Sequence, residues 1–201
     1  MLRRALDIIG SIVMIIALAP VLAATSCAVV VTSGWPFLFS QIRVGQHFRL
    51  FRIWKFRTMR PDPAGLPITT SADDRVTSLG RRLRAIKLDE LPQLVNVFCG
   101  DMSFFGPRPE VPEFVERRSA AWQAILAQRP GLIDPASLQF VREPVLLAAY
   151  PDPVAAYRET FLPEKLAASC DYLRSRTAAS DFRLLLRLVA LLLRSPKAFH
   201  D

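Results

Sequence analysis

Cysteine and histidine are scarce in this chain, with three of one and two of the other among 201 residues. Cys27, Cys99 and Cys170 stand far apart with no CxxC pair, and His47 and His200 cannot complete a Cys/His metal site. That excludes a zinc-type centre and leaves reduced, structural thiols. Any metal should then be a hard, oxygen-bound cation such as Mg²⁺. Acidic residues are also in short supply, 18 against 26 Lys and Arg, for a formal charge of +8. Such a balance suits an anionic partner: nucleic acid, anionic lipid headgroups or a phosphorylated substrate.

Apolar residues are plentiful: they make up 51% of the chain, and the mean hydropathy is +0.25. The excess sits near the two termini, which points to membrane contact. The length accommodates one domain plus an appendage, divided here into an anchor over 1–36 and a membrane-associated domain over 37–201. After Arg3 and Arg4 an uncharged apolar run extends from Ile8 to Val31. It continues through the weak cleavage-like Ala17–Ala19, so a retained segment is expected rather than a signal peptide. A run of this length can span a bilayer. Pro20 near its middle removes a backbone hydrogen bond, and both flanks are basic: Arg43, Arg49, Arg52, Lys55, Arg57 and Arg60 follow it. If basic flanks stay on the cytoplasmic side, a helix that enters one leaflet and returns satisfies both ends. A kinked spanning helix is the alternative.

From Phe37 to Met59 apolar and basic residues alternate around Gly45 and Gln46, the pattern of a β-hairpin. Its aromatics interleaved with Arg and Lys suit either nucleic acid or a membrane interface; the preceding anchor favours the interface and argues against nucleic acid. Arg60–Asp74, with three prolines and a glycine, reads as a loop, either a lid or a plain connection. Arg75–Lys87 has helical spacing. Further helices are expected over Val111–Gln128 and Tyr157–Arg174. Asp181–Arg194 puts Arg183, Arg187 and Arg194 on one face with leucines around most of the rest. That suits an amphipathic helix lying in the interface, a core helix, or a contact in a homo-oligomer.

Lys87–Glu110 concentrates the chemistry. KLDELPQLVNVFCGDMSFFGPRPE holds adjacent carboxylates Asp89 and Glu90, the carboxylate of Asp101, and Arg108 clamped between Pro107 and Pro109. A carboxylate pair, a divalent cation and a guanidinium are the components of phosphoryl transfer. Asp89 is equally a candidate N-cap for a helix over Leu91–Phe98. Against that, two neighbouring carboxylates repel and call for a nearby cation. Asp101 reads as an ordinary turn residue.

KFRTM (Lys55–Met59), LDELPQL (Leu88–Leu94), GDMSFFGPRP (Gly100–Pro109) and RPGL (Arg129–Leu132), in this order after an apolar anchor, resemble the small monotopic phosphoglycosyl transferases, bacterial sugar transferases that begin surface glycan assembly. The resemblance implies transfer of a sugar 1-phosphate from a UDP-sugar to a polyprenol phosphate such as undecaprenyl phosphate, with release of UMP. It also implies an α+β, mainly helical, monotopic fold with a re-entrant N-terminal helix. The catalytic domain would sit on the cytoplasmic face of the bacterial inner membrane, in contact with anionic lipid. By the same resemblance, Asp89 is the nucleophile that forms a phosphoaspartyl intermediate, Glu90 its acid/base or metal-supporting partner, and both lie at a Mg²⁺ site. Arg84, Arg108, Lys55, Arg57 and Arg129 become phosphate or substrate contacts, and Pro20 the helix break. The chain departs from the family pattern in two places. Ala19 stands where serine is usual, and LIDPASLQF follows RPG, with Asp134, Ala136 and Ser137 in an altered segment. A non-enzymatic, membrane-anchored protein that binds anionic lipid or nucleic acid is the rival from another class.

Overall fold

The computed structural model describes residues 2–62 and 67–194. Part of the expected 60–74 loop, His200 and the last residues of the 37–201 division lie outside them. The architecture is mainly helical α+β with a small antiparallel hairpin, as expected.

The apolar run forms two helices, α1 (Leu2–Ala17) and α2 (Ala19–Ser33), bent by 62°. The break falls at Leu18, so Pro20 occupies the first turn of α2, where its missing N–H costs nothing. No single helix among the described residues is long and apolar enough to cross a membrane, whereas the bent pair together is. Both outer ends of the pair are fastened to the same domain. At the start of α1, Arg4 donates to the carbonyls of Val97 and Phe98, each at 2.6 Å. One turn later the buried carboxylate of Asp7 accepts from Ser103 Oγ and the Phe104 amide. At the end of α2, Arg57 donates to the carbonyls of Ser33, Gly34 and Trp35, while Val29 is buried with Phe56 and Leu83. Between these moorings Ile9, Ile12, Val13 and Ile16 are exposed.

The hairpin pairs β1 (Leu38–Val44) with β2 (Leu50–Phe56), from Leu38 opposite Phe56 to Val44 opposite Leu50. Its connection is wider than a turn at Gly45 and Gln46. His47 and Phe48 also take left-handed conformations, with φ of 53° and 59°. Ile53 and Phe56 are buried, and Ile53 packs with Val97 and Met102. Then come α3 (Ser78–Ala85), N-capped by Thr77 Oγ1, which accepts from the Gly80 amide; α4 (Gln93–Cys99); and β3 (Ser103–Phe105).

A single helix over Val111–Gln128 does not form. The segment breaks into a 3₁₀ turn at Pro112–Phe114 and α5 (Ala120–Leu126), because Ser119 caps a fresh start and Phe114 turns inward to pack 5.0 Å from the Tyr157 ring. β4 (Gly131–Ile133) runs parallel to β3. The short α6 (Pro135–Gln139), α7 (Glu143–Leu147) and α8 (Pro153–Ala156) follow. A π-turn at Tyr157–Phe161 then leads into α9 (Leu162–Arg174), and α10 (Ala178–Arg194) ends the described chain. The largest core cluster gathers Val44, Trp122, Leu147 and Phe161.

Candidate active site

Between the hairpin and α3 on one side and α6, α7 and α9 on the other lies a cleft of about 280 Å³. Asp89 and Glu90 stand on its lining, in a 3₁₀ turn at Leu88–Glu90 that Lys87 enters with a left-handed φ of 59°. Asp89 does not cap α4: that helix starts at Gln93 behind Pro92, with no side-chain cap. Both carboxylates are buried, 5% and 8% exposed. Their surroundings differ sharply. Glu90 Oε1 accepts from Lys55 Nζ at 2.9 Å and from Arg108 Nη2 at 2.5 Å, whereas Oδ1 of Asp89 is buried with no hydrogen-bond partner.

Electrostatics follow from that division. Burial, reinforced by the charge of Glu90, pushes the Asp89 carboxyl above its usual range. Burial would do the same to Glu90, but Arg108, Lys55 and Lys87 outweigh it and hold Glu90 well below the usual range. Arg108 is raised by Glu90. Lys55 is pushed down to about 8 by burial, which the nearby Glu90 only partly offsets. Glu90, held in its charged form by these cations, therefore serves as their anchor, and Asp89 is the carboxylate with an oxygen to spare.

Arg108 reaches Glu90 because two backbones touch. Gly131 faces Gly106 so closely that a Cβ on Gly131 would lie 2.0 Å from the Gly106 nitrogen. The contact is tied by Gly131 N to Pro107 O at 2.9 Å and Gly106 N to Ile133 O at 3.2 Å. The GPRP and RPGL segments thus form one scaffold, which explains their glycines by space alone.

Of the expected site residues, Asp89, Glu90, Arg84, Arg108 and Lys55 come together on this cleft. Arg84 donates from Nε to Thr58 Oγ1 at 2.9 Å. Arg57 and Arg129 are not among the residues lining it. Arg57 lies just past the end of β2, where its guanidinium is taken up by the carbonyls of Ser33, Gly34 and Trp35 and closes the end of α2. Arg129 precedes the glycine scaffold, where its carbonyl abuts Gly106. Asp101 accepts from Asn96 Nδ2 in the turn after α4, and Asp134 caps α6 by accepting from the Ala136 and Ser137 amides.

Several groups escape sequence reading because distant elements bring them in. Arg43 pairs with Glu110 at 2.9 Å, Tyr157 donates its hydroxyl to Glu110 at 2.5 Å, and Lys165 pairs with Glu143 at 2.8 Å. The only signal available for them was Glu110 at the close of the GPRPE run. Arg81, Lys87 and Arg43 join Arg84, Lys55 and Arg108 on the lining, so cations outnumber carboxylates there.

Among the described residues no cluster of three metal-binding side chains occurs. Mg²⁺ needs no such cluster, because it takes one or two carboxylates and completes its shell with water and substrate phosphate. The orphaned Oδ1 of Asp89 fits that requirement. At Glu90, Oε2 has only a 3.5 Å approach from Arg108, while Oε1 is taken by two cations.

A buried carboxylate pair beneath a cationic wall has the layout of a phosphoryl-transfer site. The family model for bacterial sugar transferases matches residues 1–195, and the chain belongs to that family. It is 34% identical over 202 residues to the UDP-glucose:undecaprenyl-phosphate glucose-1-phosphate transferase of Caulobacter vibrioides, covering 98% of this chain and 72% of that protein. It is 35% identical over 160 residues to the exopolysaccharide production protein PSS of Rhizobium leguminosarum bv. phaseoli, covering 71% and 76%. It is also 40% identical over 118 residues to the UDP-N-acetylgalactosamine-undecaprenyl-phosphate N-acetylgalactosaminephosphotransferase of Aeromonas hydrophila, covering 58% of this chain but only 28% of that protein.

Proposed function

We propose that this chain transfers a sugar 1-phosphate from a UDP-sugar to a polyprenol phosphate such as undecaprenyl phosphate, releasing UMP, as the first membrane step of surface glycan assembly. The names of the relatives support the reaction class. The observation that carries it in this chain is the unequal carboxylate pair, with Glu90 clamped by two cations and Asp89 buried beside them with a free oxygen.

A carboxylate oxygen of Asp89 bonds to the sugar-bearing phosphorus as the bridging P–O bond breaks, and UMP departs with the bond's electron pair. An oxygen of polyprenol phosphate then attacks the same phosphorus, and the Asp89 oxygen leaves with its electrons. Splitting the transfer in this way uses one cationic clamp twice. Arg108 and Arg84 hold the phosphate oxygens and balance their charge. Lys55 holds Glu90 and Arg108 in register. Asp89 and Glu90 would hold Mg²⁺, which when bound would supply charge neutralisation for the diphosphate.

The lipid acceptor explains the anchor. With both outer ends of the α1–α2 pair fastened to one domain, a re-entrant hairpin over 1–36 that returns to its entry face accounts for the 62° bend better than a span does. The 37–201 domain would then rest on the cytoplasmic face of the inner membrane. There α10 lies in the anionic interface with Phe182, Leu186 and Val189 exposed toward lipid. The test is UMP release from a panel of UDP-sugars with purified protein, Mg²⁺ and undecaprenyl phosphate. Release with at least one sugar, lost with EDTA, supports the reading, and a wild-type protein inert toward the whole panel refutes it.

A further inference from the structure

We propose that the Glu143–Lys165 pair, with Ser137 and Tyr157 beside it, is the subsite that reads the hydroxyl groups of the transferred sugar; this rests on the glycosyl phosphate reading above. The two walls of the cleft differ in chemistry. One carries Arg81, Arg84 and Lys87 from α3 and the turn after it. The other, built from α6, α7, the π-turn and α9, carries Ser137, Glu143, Tyr157 and Lys165. On the second wall Lys165 is already neutralised by Glu143, whereas the first carries several cations, so the diphosphate belongs on the first. What suits the second wall is a neutral group with hydroxyls to donate and accept.

Glu143 Oε2 and Lys165 Nζ stand 2.8 Å apart, with side chains 16% and 13% exposed, so the pair is half-sheltered yet open to the cleft. It presents an acceptor and a donor side by side, the complement of two neighbouring sugar hydroxyls. Lys165 Nζ also donates to the Tyr157 hydroxyl at 3.3 Å, and that hydroxyl donates onward to Glu110. The chain of contacts holds both side chains to fixed positions. Tyr157 opens the π-turn at Tyr157–Phe161, a helix irregularity of the kind that re-aims side chains at functional sites.

Position selects the sugar over the nucleoside. Lys165 and Arg108 line both the cleft and a second, smaller cavity, and Lys165 Nζ bonds the Tyr157 hydroxyl, which bonds Glu110, two residues from Arg108. Arg108 in turn bonds Glu90, the neighbour of Asp89. The pair therefore stands at the reacting end of the cleft. In the donor the sugar is one oxygen away from the phosphorus under attack, and the nucleoside is a further phosphate away. A uronate carboxylate would have to compete with Glu143 for Lys165, so the subsite suits a neutral hexose over a uronic acid.

The test compares wild type with Glu143→Gln, Lys165→Met and Ser137→Ala, each checked for an unchanged melting profile. UDP-glucose, UDP-galactose, UDP-N-acetylgalactosamine and UDP-glucuronic acid serve as donors, and UMP as a product inhibitor. The expected result for Glu143→Gln is that kcat/KM for the preferred neutral sugar, relative to its epimer, falls about tenfold, with UMP inhibition unchanged. Ser137→Ala, which leaves the ion pair in place, shifts the same ratio in a folded protein even if Lys165→Met unfolds. A uniform loss across all donors would mean that the pair only ties α7 to α9 and would overturn the proposal. So would a changed UMP inhibition with the sugar ratios intact, which would place the nucleoside here. Wild type inert toward every donor would refute the transferase reading itself and this inference with it.

Discussion

Lys55 and Arg108 meet on a single oxygen atom: Nζ of one and Nη2 of the other lie 2.9 Å and 2.5 Å from Glu90 Oε1. One carboxylate thereby joins the second hairpin strand to the loop after β3 and sets the cation positions around Asp89. Replacing Glu90 by Gln removes the charge that both cations share and leaves them repelling each other. A stability loss of about 3 kcal/mol is expected from an unpaired buried charge, with a fall in kcat of about a hundredfold as the clamp loosens. Chemical denaturation and UMP release measure the two effects. An unchanged denaturation midpoint would contradict the bridging role.

The pH profile of kcat/KM should have two limbs. On the acid side activity rises as Asp89 loses its proton, at a pH above the usual carboxylate range because burial and Glu90 favour the protonated form. On the alkaline side it falls above about 8, where Lys55 deprotonates and its hold on Glu90 weakens. The stability signs are separate. The raised Asp89 favours the fold at low pH and loses that advantage as pH rises through its range. Depressed Glu90 contributes above its unfolded value and is lost on acidification. Lys55 burial costs stability below about 8, a cost relieved between there and its unfolded value. Lys55→Arg keeps its charge at all accessible pH, so the alkaline limb should move upward; a limb that stays near 8 would mean another group titrates.

Variants of Arg57 and Arg84 should separate anchoring from substrate binding. Arg84→Ala should lower kcat/KM for the UDP-sugar about tenfold or more through loss of a charged contact, with little change in melting. Arg57→Ala strips the carbonyls at the end of α2 of their donor and should lower Tm while leaving the KM for UDP-sugar unchanged. Parallel kinetics and thermal melts check both. The reverse pattern would return Arg57 to the substrate site.

Asp7 moors α1 to β3 through two accepted hydrogen bonds. Asp7→Ala leaves the Phe104 amide and the Ser103 hydroxyl without their partner, at a cost of about 2 kcal/mol, or about 5 °C in Tm for a chain of this size. Thermal melting in detergent reads it. A Tm equal to wild type would show that the α1 mooring carries no stability.

How far the sequence revealed this molecule depended on how local each feature was. The hairpin, α3 and α10 were legible because alternation and helical spacing are local signals. The single helix expected over Val111–Gln128 failed because Phe114 answers to a distant partner, Tyr157, and not to helical period. The Lys87–Glu110 run was legible as a site through its residue types, and Asp89, Glu90, Lys55, Arg84 and Arg108 do converge. Arg57 was placed with the substrate contacts because nothing local shows that the distant carbonyls of Ser33, Gly34 and Trp35 take up its guanidinium. Arg43, Tyr157, Glu143 and Lys165 were invisible, since only tertiary packing brings β1, α7 and α9 to one cleft.

The most direct test of the transferase account is a single-turnover experiment without acceptor. UDP-sugar labelled on the sugar-bearing phosphate is mixed with enzyme and Mg²⁺, quenched, and followed for UMP and for label on protein. The account predicts a UMP burst approaching one per enzyme, with label covalently attached at Asp89, released on adding undecaprenyl phosphate and absent in Asp89→Asn. Turnover with acceptor present, but neither burst nor protein-bound label without it, would contradict Asp89 as a nucleophile and indicate direct transfer between the two substrates.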